Sequence, residues 1–121
     1  KYTVTPVSNA DMPPSNLFIV GDATNGGWNN PVPVPTQQFT QVSSGAFELN
    51  VALSSGKKYL LLPQNGSWDH KFAIANADAP SVKLGGKFVA DSGVDIPAPD
   101  EAGTYRISVE FINKTYKLTK L

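Results

Sequence analysis

The sequence predicts an all-β fold, a two-sheet antiparallel β-sandwich, and three observations carry that prediction. Phe47, Leu49, Val51 and Leu53 alternate with Glu48, Asn50 and Ala52, and Tyr105, Ile107, Val109 and Phe111 alternate with Arg106, Ser108 and Glu110. That period of two marks strands with one buried face. Ten glycines and ten prolines punctuate such runs at short intervals, and no window longer than about ten residues keeps apolar side chains at helical spacing.

In chain order, residues 1–15, with Pro6, Pro13 and Pro14, read as a linker or extended lead-in segment that pairs at a sheet edge, and residues 16–121 as a single β-sandwich module. Leu17–Val20 is a short apolar strand closed by Gly21 and Asp22. Residues 46–63 read as a β-hairpin, because Ser54-Ser55-Gly56 is turn chemistry between two extended runs. Asp69–Ala79 reads as a loop, its alanines offering a helical turn as the second reading. Pro97, Pro99 and Gly103 mark a place where the chain crosses between sheets. Asn113-Lys114 makes the tight turn of a closing hairpin that ends with Tyr116, Leu118 and Leu121. About six or seven such strands suit a sandwich.

A chain of 121 residues is one domain's worth, and with 40% hydrophobic and 17% charged residues it is expected to fold. Ten basic residues balance ten acidic ones, so the basic stripe that nucleic acid requires is missing and nucleic acid is not an expected partner. The longest apolar runs are about four residues, far short of the roughly 20 that a membrane-spanning helix needs. The absence of cysteine removes disulfides, thiolate metal sites and thiol nucleophiles, and His70 is the single imidazole. No cofactor or metal is expected. The chain starts at Lys1 without a leader pattern and reads as a processed chain or an excised domain.

Two polar stretches, Gly21–Pro35 and Pro63–Lys71, each follow a strand and each carries one of the two tryptophans. Trp28 lies beside Asn29 and Asn30, and Trp68 lies among Asn65, Asp69, His70 and Lys71. Flat indoles beside amide, carboxylate and ammonium groups suit a sugar, which presents apolar C–H faces within a rim of hydroxyls. The candidate ligand-binding set is therefore Trp28, Trp68, Asn30, Asn65, Asp69 and Lys71. The competing reading has one or both indoles capping the end of the sandwich against Pro31 or Pro33.

Other chemistries fit less well. Gly21, Gly26 and Gly27 follow a strand as phosphate-binding loops do, yet the spacing is wrong and the prolines beyond deny a helix. Glu48 and Glu110 occupy the polar phases of strands, and Asp22, Asp69, Asp91, Asp95 and Asp100 lie in turns. No acid/base pair for glycoside hydrolysis emerges. Asp91, Asp95 and Asp100 lack EF-hand spacing for calcium, and one histidine without a nucleophile elbow makes no hydrolase triad.

The stretch Asn16-Leu-Phe-Ile-Val-Gly-Asp-Ala-Thr-Asn-Gly-Gly-Trp-Asn-Asn-Pro31, followed by Phe47-Glu-Leu and Tyr59-Leu-Leu-Leu-Pro-Gln-Asn-Gly-Ser-Trp68, resembles the SusE and SusF type domains of Bacteroidetes. Ala102-Gly-Thr-Tyr-Arg-Ile-Ser-Val-Glu-Phe111 and Thr115-Tyr-Lys-Leu118 look like the closing hairpin of the same module. The resemblance implies an immunoglobulin-like, carbohydrate-binding-module-like sandwich in an outer-membrane lipoprotein at the cell surface. It also implies binding of starch-like α-glucan or another polysaccharide without cleavage, so no enzyme, and association with transporter components of a glycan-uptake system. In starch-binding members the site is similar to two tryptophans with a Lys or Arg from the strand between them. Trp28 and Trp68 match the tryptophans, while Leu61 stands where the lysine is expected, with Lys57, Lys58 and Lys71 as replacements. That departure supports a second reading, a structural spacer or protein-interaction domain of the same kind of lipoprotein without a sugar site.

Overall fold

The structure, a computed structural model, describes residues 14–75, 83–91 and 93–121. The lead-in expectation for residues 1–15 lies outside the described residues except at Pro14 and Ser15. The strands are β1 (Phe18–Val20), β2 (Thr40–Ser43), β3 (Ala46–Leu53), β4 (Lys58–Leu62), β5 (Phe72–Ala73), β6 (Gly85–Lys87), β7 (Val89–Ala90), β8 (Ile96–Pro97), β9 (Gly103–Glu110) and β10 (Thr115–Lys120). Every pairing is antiparallel, and the strands form two sheets of five. One sheet runs β1-β4-β5-β7 with β8 added along β4, and the other runs β2-β3-β9-β10-β6. The predicted two-sheet antiparallel sandwich is what the chain forms.

The alternating strands supply the second sheet's inner face. Phe47, Val51 and Leu53 of β3, Tyr105, Ile107 and Val109 of β9, and Tyr116 and Leu118 of β10 are buried against Ile19, Tyr59, Leu61 and Ile96 of the first sheet. Phe72, Phe88 and Phe111 meet edge to face at centroid distances of 4.9 to 5.5 Å, the arrangement their ring quadrupoles favour. The closing hairpin forms as expected, with Thr115 opposite Glu110 and Lys114 at a φ of 56° in the turn. The chain also crosses between sheets over Pro97–Gly103, from β8 to β9.

The expected hairpin over residues 46–63 does not form. β3 lies between β2 and β9, whereas β4 lies beside β1, β5 and β8 in the opposite sheet. The reason is burial. β3 exposes alternate residues, but Tyr59, Leu60, Leu61 and Leu62 are all buried, and such a run needs apolar cover on both faces of its sheet. Ser54-Ser55-Gly56 is thus a crossover between layers. Its Ser54 N–H donates to the Ala23 carbonyl at 2.9 Å, which draws it toward the first sheet.

Cover for the outer face of β4 comes from the chain after β1. Leu60 and Leu62 form a second buried cluster with Phe18, Val20, Ala73 and Val32. A further correction falls in the stretch expected to be a loop from Asp69. Phe72 and Ala73 form β5, with Phe72 between Leu61 and Ala90, because Phe72-Ala73-Ile74 is apolar enough to enter a sheet. Residues 76–79 of that stretch lie outside the described residues.

Candidate functional site

The loop that carries Trp28 is shaped by its glycines and by one buried amide. Gly21 lies so close to β4 that an added methyl would fall on the Lys58 carbonyl and the Tyr59 Cα, so only glycine fits. The Thr24 hydroxyl donates to the Gly21 carbonyl at 2.7 Å. Gly27 N–H donates to Thr24 and Gly21 N–H donates back to Gly27, at 3.1 and 3.0 Å. This closes residues 21–27 into a compact turn. Gly26 N–H donates to Gln37 Oε1 at 2.9 Å, and Gln37 Nε2 donates to the Ile19 carbonyl at 2.8 Å. The N–H groups of Gly21, Gly26 and Gly27 are all taken by acceptors of the chain itself, two within the turn and one on Gln37, which is why this glycine-rich turn is no phosphate cradle.

The second loop follows β4. Gly66 has a φ of 86° in its bend, and Asp69 N–H donates to Ser67 Oγ at 3.2 Å. His70 Nδ1 lies 3.0 Å from Asp91 Oδ1, and Asp91 N–H donates to the Lys71 carbonyl at 2.8 Å. The far end of the loop is therefore tied to the turn at Asp91.

Folding brings the two tryptophans together across forty positions of sequence. Their ring centroids are 6.5 Å apart with planes inclined by 38°, and they stay 40% and 49% exposed. Neither indole is fully buried, and the pair presents aromatic surface to solvent. Asn65 joins the loops, its Oδ1 accepting from Val32 N–H at 2.7 Å and its Nδ2 donating to the Val32 carbonyl at 3.2 Å. Asn30 Oδ1 accepts from Gly66 N–H at 2.7 Å.

Of the six candidate residues, four are thus assembled at one place, Trp28, Trp68, Asn30 and Asn65. Asp69 is exposed and Lys71 half-buried farther along the second loop. Their side chains make no hydrogen bond or ion pair among the described residues. Leu61 is 1% exposed and belongs to the core between the sheets. Position 61 therefore faces away from the loops, and Leu60 and Leu62 are the β4 residues on the loop side.

Two residues that matter here carry no sequence signal. Gln37 is 2% exposed and holds the Trp28 loop to β1, yet it stands in a polar run with nothing to distinguish it from Gln38. Val32 sits among prolines, and only the tertiary structure reveals that it covers β4.

Elsewhere, a concavity of about 1020 Å³ lies across the second sheet, floored by Gly85, Gly86, Tyr105 and Leu118. Lys83–Asp100 and Lys120–Glu101 ion pairs, at 2.6 and 2.8 Å, stand at its rim. Neither tryptophan lines it. Within the two tryptophan loops the carboxylates are Asp22 and Asp69, and Asp22 Oδ1 is occupied by Lys58 N–H at 2.9 Å. Among the described residues, no three His, Asp or Glu side chains are grouped to hold a metal ion, and no helix is long and apolar enough to cross a membrane. Comparison with protein-family models, curated proteins and solved structures finds no match.

Proposed function

We propose that this domain is a non-catalytic carbohydrate-binding module, holding a starch-like α-glucan or another polysaccharide for a cell-surface lipoprotein in glycan uptake. The observation that carries the reading is the exposed Trp28–Trp68 pair, inclined by 38° and mounted on two loops. Two exposed indoles leave apolar area in water, which a folded chain keeps where a partner covers it. Each face matches the C–H face of one sugar ring, and a tilted pair suits a chain that curves from one residue to the next. Asp69 and Lys71 supply hydroxyl-bonding groups on the same loop as Trp68. The resemblance to SusE and SusF type domains supports the same ligand class and the surface location.

Intrinsic tryptophan fluorescence during titration with maltoheptaose and with xylan, pectic and mannan oligosaccharides tests the proposal. A saturable change with one class supports it and names the ligand family. Silence across all of them overturns it and favours the spacer or protein-interaction reading, since an exposed aromatic pair is also what a protein partner would cover.

A further inference from the structure

We propose that Asn65 and Asn30 are positioning residues that set the spacing and tilt of the Trp28–Trp68 pair, and that they do not meet the ligand themselves. This rests on the reading of the pair as a sugar-stacking surface and deepens it.

The geometry has three parts. The Asn65 amide uses its acceptor and a donor on the N–H and carbonyl of one residue, Val32. An adjacent β-strand would satisfy those two backbone groups in the same way. Val32 is in turn fixed by its side chain, which is buried with Leu60 and Leu62. Asn65 follows Leu62 by three positions, so the chain makes a closed bracket from β4 through Asn65 to Val32 and back to β4. The second fastening, Gly66 N–H to Asn30 Oδ1, lies two residues from each tryptophan.

One polar atom of the bracket is also shut off from solvent. Asn30 Nδ2 is buried without a hydrogen-bond partner, and Asn30 Oδ1 is taken by Gly66. A sugar hydroxyl reaches Asn30 Nδ2 only if the loops part. The amides therefore act on the ligand through the indoles. Two unfastened loops would hold the rings over a range of separations, and binding would then carry the cost of ordering them.

Two indoles this close give an exciton couplet in the circular dichroism spectrum, whose size depends on separation and tilt and needs no ligand. Trp28→Phe and Trp68→Phe each abolish the couplet and so assign it. Asn65→Leu, close to Asn in shape but without hydrogen bonds, is expected to shrink the couplet strongly and to weaken glycan affinity roughly tenfold. Asn30→Ala, which removes only the acceptor for Gly66, is expected to shrink the couplet less. A wild-type couplet in both variants overturns the proposal, whatever happens to affinity. If affinity falls while the couplet stays, the amides are direct ligand contacts, which overturns it equally. If Asn65→Leu fails to fold, Asn30→Ala decides by the same measurement. Absence of glycan binding by the wild type would sink the sugar reading instead, and the couplet still reports on the bracket.

Discussion

Leu61 and Leu62 are neighbours in β4 yet belong to different hydrophobic clusters, Leu61 to the core between the sheets and Leu62 to the cluster beneath the Trp28 loop. Side chains alternate across a strand, so a functional group at position 61 would point into the core. Leu61→Lys, which puts a lysine where the resemblance to starch-binding domains leads one to expect it, is therefore expected to destabilise the domain by about 4 kcal/mol or more. It should add no affinity for maltoheptaose. Chemical denaturation and a fluorescence titration check both points, and a variant as stable as the wild type would place side chain 61 at the surface.

Trp28→Ala and Trp68→Ala remove exposed aromatic surface and little core. Each is expected to lower glycan affinity roughly tenfold or more and to change stability by less than about 1 kcal/mol. Retention on the cognate polysaccharide in affinity electrophoresis, together with the thermal midpoint, separates the two effects. Retention equal to wild type in both variants would dissociate the indoles from binding.

Tyr59 is fully buried and its hydroxyl has no hydrogen-bond partner among the described residues. Burial, and after it the nearby Tyr116, pushes the Tyr59 phenol well above its ordinary value of 10.0, and burial pushes Tyr116 up as well. Above about pH 10 the unfolded chain releases both protons while the folded chain retains them, so the unfolded state binds fewer protons and stability falls as pH rises. The loss approaches about 1.4 kcal/mol per pH unit for each tyrosine. Below that pH the two phenols give no slope. Tyr59→Phe removes an unpaired buried hydroxyl and is expected to leave stability at neutral pH unchanged or raise it by up to about 1 kcal/mol, while reducing the alkaline slope by about half. Urea midpoints between neutral pH and pH 11 report both effects. A loss above about 1.5 kcal/mol at neutral pH would mean that the hydroxyl is hydrogen-bonded in solution.

Gln37→Ala deprives the Ile19 carbonyl and the Gly26 N–H of their side-chain partners. The expected cost is about 2 kcal/mol, accompanied by faster hydrogen exchange at Gly26 and a loosened Trp28 loop. Unaltered exchange at Gly26 would show that the turn over residues 21–27 holds itself.

Local features are legible in the residues alone. Period-two alternation in Phe47–Leu53 and Tyr105–Phe111 exposes which faces are buried, and the glycines and prolines mark where strands stop, so the β-sandwich and the two tryptophan-bearing loops were legible. The same periodicity says nothing about partners. It gave no means to see that β3 and β4 part into opposite sheets, because two runs joined by a turn look alike whether they pair or cross. Only the doubly buried surface of Tyr59–Leu62, which must be covered on both sides, decides it. Trp28 and Trp68 were readable as candidates from their polar surroundings. Their separation and tilt, the inward direction of Leu61, and the commitment of Asn30 and Asn65 to backbone groups were decided by tertiary structure alone. A side-chain amide is equally suited to a hydroxyl or to a peptide, and which one it meets depends on what the rest of the chain brings within reach.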